Sequence, residues 1–186
     1  MVEIKLLPDA TLITVRCSPE TLERVGEPAG LTFPREANRF TPDGATRVMR
    51  TGPDDWMIVD ERADGPNMLA AIEDAFAGEH AAVLDVSGNR VRLSICGPDA
   101  HALMARACAL DLDAPNFATG HCAGTIVARA QAFVLQTSDA PAYELFVRRS
   151  FATYLTDWLI TAARALPPSF AAPRFRESST TPPRRQ

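Results

Sequence analysis

The chain has 186 residues, 46% of them hydrophobic, with a formal net charge of −4, which is enough for one domain or two small halves sharing a core. An acidic balance argues against a general nucleic-acid surface, and no run approaches the roughly 20 apolar residues of a membrane-spanning helix. The charge is uneven: beyond Pro167, Arg174, Arg176, Arg184 and Arg185 meet only Glu177, and this surplus of three positive charges leaves −7 on the body.

Ile4 to Leu7 and Thr11 to Arg16 read as short strands parted by Pro8-Asp9, a turn pair. Ser18 is placed to cap a short helix with Pro19 in its first turn, Leu22 and Val25 on its buried face, and Gly26 closing it. Residues 26 to 46 hold Gly26, Pro28, Gly30, Pro34, Pro42 and Gly44 without apolar periodicity. So long a loop is either a surface strap or a partner-binding arm. Arg47 to Thr51 and Trp56 to Asp60 flank Gly52-Pro53-Asp54-Asp55 and predict a hairpin. Met68, Leu69, Ile72, Ala75 and Phe76 predict a helix ending at Gly78, and Ala82 to Val86 a further strand.

The strongest local signal is Arg90 to Cys108. Val91, Leu93 and Ile95 alternate with Arg90, Arg92 and Ser94, so the two arginines are expected on an exposed face. Gly97-Pro98 then breaks the strand. Pro98 is expected at the first helical position and Asp99 against the positive end of the helix dipole. Ala100, Leu103, Met104, Ala107 and Cys108 follow as one stripe. Thr125 to Ala128, Ala132 to Thr137 and Tyr143 to Arg148 are strand candidates. Ser150 is expected to cap the longest helix, whose buried stripe is Phe151, Tyr154, Leu155, Trp158, Leu159, Ala162, Ala165 and Leu166.

Hairpin-then-helix occurs twice, over Arg47 to Phe76 and Ala132 to Leu166. This weak duplication of pattern predicts an α+β fold of two βα-rich halves sharing antiparallel sheets. Residues 1–168 form the expected compact domain, with halves of about 1–86 and 87–168, and 169–186 an expected flexible tail. Both hairpins carry apolar residues on both faces. With few long helices to cover them, a partner chain is expected to take part of that surface.

Several runs resemble a known family. Asp85-Val86-Ser87-Gly88 followed by Arg90 through Gly97-Pro98-Asp99-Ala100 resembles the folate-binding fold of the glycine-cleavage T-protein family. Leu31 to Phe40, Gly52-Pro53-Asp54-Asp55-Trp56, Leu110-Asp111-Leu112-Asp113, Gly120 to Thr125, Tyr143-Glu144-Leu145 and Arg148-Arg149-Ser150-Phe151 resemble the gamma subunits of heterotetrameric sarcosine oxidase. The resemblance covers roughly residues 10 to 166. It implies a subunit of an oxidoreductase complex that demethylates sarcosine oxidatively and passes the one-carbon unit to tetrahydrofolate. It implies alpha, beta and delta subunits as partners, holding FAD, FMN, NAD and tetrahydrofolate, and no catalytic residue in this chain. In agreement, no G-x-G-x-x-G run lies between a strand and a helix. The competing reading is a free-standing folate-binding or aminomethyltransferase-like protein, and the short chain speaks against it because relatives that work alone are longer. A generic interaction domain is the third.

Cys17, Cys96, Cys108 and Cys122 form no C-x-x-C and read as reduced, packed thiols of a cytoplasmic protein; the first residues have no signal-peptide pattern. His121-Cys122 with Cys108 offers only three ligands where a structural zinc site needs four. His80 and His101 have no evident partners. Asp85 fits turn chemistry, while Asp111 and Asp113 are either a solvated helix exit or, by the T-protein resemblance, an aid to folate chemistry. Trp56 is either core or an interface anchor. Arg148 and Arg149 gain nothing from the helix dipole they precede, so either a carboxylate from another segment or subunit meets them or they are solvated. No catalytic, cofactor-binding or metal residue is assigned; Trp56, Arg148 and Arg149 are the interface candidates.

Overall fold

Strands with apolar residues on both faces need cover on both, and the chain supplies it by stacking two sheets. The structure, a computed structural model, describes residues 1–43, 45–62, 64–113 and 116–167. In chain order the described elements are β1 (Glu3–Leu6), β2 (Thr11–Cys17), α1 (Pro19–Val25), β3 (Phe40–Asp43), β4 (Thr46–Arg50), β5 (Asp55–Asp60) and α2 (Gly65–Ala75). They continue with β6 (Ala81–Asp85), β7 (Arg90–Cys96), α3 (Ala100–Ala107), β8 (Cys122–Val127), β9 (Ala130–Ser138), β10 (Ala142–Arg148) and α4 (Ala152–Arg164). The fold is α+β, as expected.

One sheet has the order β3-β4-β5-β2-β6 and the other β8-β9-β10-β7-β1, with all neighbours antiparallel. The two orders match strand for strand. β7, β8, β9 and β10 take the places of β2, β3, β4 and β5. Where the first sheet ends in β6, the second ends in β1, brought in from the start of the chain. A division into blocks at about residue 86 therefore fails for β1, which pairs with β7.

Four layers result. Leu22 of α1 and Met68, Ile72 and Phe76 in and just after α2 pack on Ile13, Val15, Val48, Trp56 and Ile58 of the first sheet. Leu103, Met104, Leu155 and Leu159 of α3 and α4 cover Val91, Leu93, Ile95, Leu145 and Val147 of the second. Between the sheets lie Leu12, Phe40, Met49, Met57, Val59, Cys122, Leu135 and Phe146. This overturns the expectation that a partner covers the hairpins. Met57, Val59 and Phe146 are all fully buried within the single chain, because the second face of each sheet is covered by the other sheet.

The local signals hold with four corrections. Ser18 accepts the Thr21 N–H at 3.1 Å and Gly26 ends α1 at φ +83°. The loop 26–46 contains a strand, β3, whose partner β4 is next to it but whose start is pinned by the second sheet: Phe40 N–H donates to Gly120 and Cys122 N–H to Asn38. α3 begins at Ala100, not Pro98, with Asp99 as its N-cap residue. Asp99 instead pairs with the Met1 amine at 2.6 Å. Ser150 does not cap α4; residues Arg149–Phe151 form a 3-10 turn leading into it. Phe151 and Tyr154 stand edge-to-face at the surface rather than in the buried stripe. The tail expected at 169–186 lies outside the described residues.

Candidate functional site

Four charged side chains meet between the sheets, and sequence reasoning did not bring them together. Arg47 of β4 and Glu61 just after β5 come from one sheet, and Arg92 of β7 and Glu144 of β10 from the other. Arg47 lies 2.5 Å from Glu144 and 2.7 Å from Glu61; Arg92 lies 2.6 Å from Glu61 and 3.2 Å from Glu144. Arg92 also donates to the Pro8 carbonyl. The alternation in β7 was right but its outer face was not solvent: Arg92 faces the other sheet and is buried. The hydrogen bond from Arg92, with Arg47 nearby, holds the Glu61 carboxyl below its usual range. Two cations and two carboxylates close on one another, which clasps the sheets and leaves no charge over. The sequence signal was Glu144, a lone carboxylate amid the apolar run Tyr143 to Val147.

The structure decides most of the sequence candidates. Trp56 is 1% exposed and its indole N–H donates to Pro34 at 3.1 Å. As an interface anchor it is corrected to core, because the strap itself covers it. Leu31 and Phe33 are buried there too, and Phe33 meets Trp56 edge-to-face. A cleft of about 380 Å³ opens beside them, lined by Leu22, Glu23, Phe33, Arg35, Arg50 and Trp56. Its cations are engaged: Arg35 pairs with Glu23, and Arg50 lies over the indole and donates to the carbonyls of Arg35, Gly52 and Pro53. Arg149 has the carboxylate anticipated for it, Asp9 at 3.2 Å, and also donates to Gly88. Arg148 is exposed.

The histidines and carboxylates fall apart into local roles. Cys122 turns between the sheets while Cys108 packs beneath α3 and α4, so they share no site with His121. The His121 Nδ1 stands 2.9 Å from both the nitrogen and the carbonyl oxygen of Ala118 and 3.0 Å from Arg39, so the ring is held within its own turn and against the strap. Burial pushes the Cys122 thiol up to about 12. Among the described residues no three His, Cys, Asp or Glu side chains are grouped to hold a metal. His101 does have partners, the Tyr143 hydroxyl at 3.1 Å and Asp113 at 3.1 Å. Asp113 is thereby drawn back to the fold, while Asp111 accepts from Asn116 and from the Asp113 N–H. Burial raises the Tyr143 phenol, so this relay has no activated nucleophile at its end. Asp85 accepts from the Ser87 N–H and hydroxyl, which lowers its pKa.

The strand–glycine–helix turn at 96–100 resembles in outline a phosphate-binding turn. The residues present do not fit a dinucleotide there. The helix start is occupied by Met1, whose carbonyl would lie 2.5 Å from a Cβ at Gly97, and by the acidic Asp99. Among the described residues no helix is long and apolar enough to cross a membrane.

The model of the sarcosine oxidase, gamma subunit family matches residues 18–165. The chain belongs to that family. The gamma subunit of sarcosine oxidase from Corynebacterium sp. strain U-96 is 28% identical over 134 residues, spanning 72% of this chain and 64% of that relative's length. A chain of the heterotetrameric sarcosine oxidase from Corynebacterium sp. U-96, solved in complex with pyrrole 2-carboxylate, superposes with a TM-score of 0.79 at 25% identity, over 88% of this chain and 84% of that one. The aminomethyltransferase T of the glycine cleavage system from Bartonella henselae superposes with a TM-score of 0.65 at 17% identity, over 88% of this chain and 46% of that one, and shares the fold. The gamma-subunit resemblance read from the sequence is thereby shown, and the T-protein resemblance is found again as a shared fold.

Proposed function

We propose that this chain is the gamma subunit of a sarcosine-oxidase-type complex with alpha, beta and delta partners. The complex demethylates sarcosine oxidatively and passes the one-carbon unit to tetrahydrofolate. The gamma chain contributes structure rather than catalytic groups. FAD, FMN, NAD and tetrahydrofolate belong to the partner subunits. The observation that carries the reading is the family match over residues 18–165. Site chemistry supports it: Arg47, Arg92, Glu61 and Glu144 are mutually paired, and Met1 fills the glycine turn before α3.

The test is co-purification of the tagged chain from its native source, followed by identification of bound chains, flavin content and sarcosine-dependent formaldehyde release. The expected result is a flavin-containing assembly that oxidises sarcosine, with no flavin on the gamma chain when purified alone. A stoichiometric flavin on the isolated chain, or folate-dependent aminomethyl transfer by it without partners, defeats the reading.

A further inference from the structure

Beyond the cover of the first sheet, the inner face of the second sheet continues into the open. Arg92, Phe146, Phe133 and Gly124 form one cross-strand row. Two residues along each strand, on the same face, stand Arg90, Arg148, Gln131 and Ile126. They line a concavity of about 400 Å³. The Arg90 guanidinium lies 4.9 Å from the centre of the Phe133 ring. Gly124 leaves room for that ring, since a Cβ there would come within 3.1 Å of it.

Two cations without a carboxylate stand side by side here. Arg16, Arg24, Arg35, Arg39, Arg47, Arg92 and Arg149 each meet a carboxylate. Among the described residues no hydrogen bond or ion pair reaches the side chain of Arg90 or Arg148, although they stand opposite each other in register. Burial and the neighbouring Arg148 both weaken the hold of Arg90 on its proton. Two adjacent cations without a counter-charge, in a chain with 23 acidic against 19 basic residues, call for an anion from outside. Ile126, 57% exposed on the same face, adds an apolar contact.

The neighbouring edge is open over a short stretch. Outward-pointing backbone groups of β8 are taken at its ends, where Cys122 N–H donates to Asn38 and, just beyond, Ala128 N–H donates to Ala107. By the two-residue period, Gly124 turns its N–H and C=O groups the same way, toward the short stretch of edge left between Cys122 and the bridge that Val127 makes to Cys108.

We propose that this face is the docking site for an extended acidic segment of another subunit of the complex. Its carboxylates lie between Arg90 and Arg148, an apolar side chain rests on Phe133 and Ile126, and its backbone meets the short open stretch of the β8 edge at Gly124. The proposal rests on the reading of the chain as a complex subunit.

The test offers the full-length chain and its Arg90→Glu/Arg148→Glu variant to the remaining subunits at low and high salt. Wild-type affinity is expected to fall as salt rises, and the variant to bind on the order of 100-fold more weakly with its circular dichroism unchanged. Arg164→Glu, an exposed charge on α4, is expected to leave affinity as it was. The neutral pair Arg90→Gln/Arg148→Gln, expected to lose affinity to a smaller extent, serves if the reversed pair fails to fold. Unchanged affinity in a folded variant overturns the proposal. So does a wild-type chain that dimerises alone and becomes monomeric in the variant, which gives the face to a second copy. A wild-type chain that binds no subunit at all overturns the proposed function itself, and is seen before any variant is made.

Discussion

Arg92 Nη1 lies 3.2 Å from Glu144 Oε1 between the two β-sheets, with the side chains 5% and 6% exposed. Removing one partner of such a contact leaves an uncompensated buried charge, which costs far more than the intact pair contributes. Glu144→Ala leaves Arg47 and Arg92 sharing only Glu61. The expected loss is about 3 kcal/mol, read from urea midpoints at neutral pH. A loss below about 1 kcal/mol, the size of an exposed ion pair, would show that water reaches the quartet.

Acid should loosen the same clasp. The Glu61 carboxyl is held below its ordinary value of 4.5, first by the hydrogen bond from Arg92. A lowered folded-state pKa means that the unfolded chain binds the proton more readily. The stability so contributed is present above that ordinary value and is lost as pH falls through the folded one. Glu61 is about half exposed, so solvent screens part of the effect. Glu61→Gln should therefore lower stability near neutrality and flatten the acid limb of a midpoint-against-pH curve. Parallel curves for the two proteins would refute the assignment.

Much of this fold is legible in local pattern. β2, β4, β5, β7 and β10 follow from apolar alternation or short apolar runs, and α1 from Ser18, Pro19 and Gly26. What escaped depends on distant parts of the chain. β3 has a proline and one large apolar residue, and is fixed partly by Gly120 and Cys122, some 80 residues away in sequence. Apolar residues on both faces of Trp56–Val59 and Tyr143–Val147 say that both faces are covered, and not by what. A second sheet and a partner chain leave the same mark on a strand. Arg92 looked solvated for the same reason: its counter-charges Glu61 and Glu144 lie 31 and 52 residues away. Arg149 was the favourable case, because a cation against a helix start already asks for a carboxylate.

Gly97 is required by the fold as built. It sits at φ +108°, and a Cβ there would meet the Met1 carbonyl oxygen at 2.5 Å. Met1 is fixed in turn by its amine on Asp99. Gly97→Ala must therefore both strain the turn and displace the first residues from the start of α3. The expected cost is on the order of 2 kcal/mol, with faster amide exchange in β1. A variant with unchanged Tm and unchanged β1 protection contradicts the contact.

The thiols should react slowly and in a set order. All four are free, Cys17 and Cys122 buried, Cys96 and Cys108 half-buried. Burial raises each of them, Cys122 to about 12. The thiolate is the nucleophile, so at neutral pH the folded protein presents little of it. Iodoacetamide followed by mass spectrometry should label Cys96 and Cys108 before Cys17, and Cys122 only after denaturant is added. Early labelling of Cys122 would mean that the sheets part readily at the β8 end.

Trp56 and the strap provide the last prediction. The indole N–H donates to Pro34 at 3.1 Å, Phe33 packs against the ring, and Arg50 ties Gly52, Pro53 and Arg35 together beside it. The middle of the loop 27–39 is thus held down by this buried hydrogen bond and by buried Pro28, Leu31, Phe33 and Pro34, while its end is tied separately, Asn38 to Cys122 and Arg39 to Arg50. Trp56→Phe keeps an aromatic ring but removes the donor, leaving the Pro34 carbonyl unpaired in a buried place. The expected cost is about 1–3 kcal/mol. Its distinctive effect is local: Arg35 and Arg39 lie in the strap, so trypsin should cut there faster while the sheets stay intact. Glu144→Ala serves as the contrast, since it weakens the clasp between the sheets and should expose all sites together. If Trp56→Phe also accelerates cleavage everywhere at once, the strap is part of the cooperative core and not a separately held element.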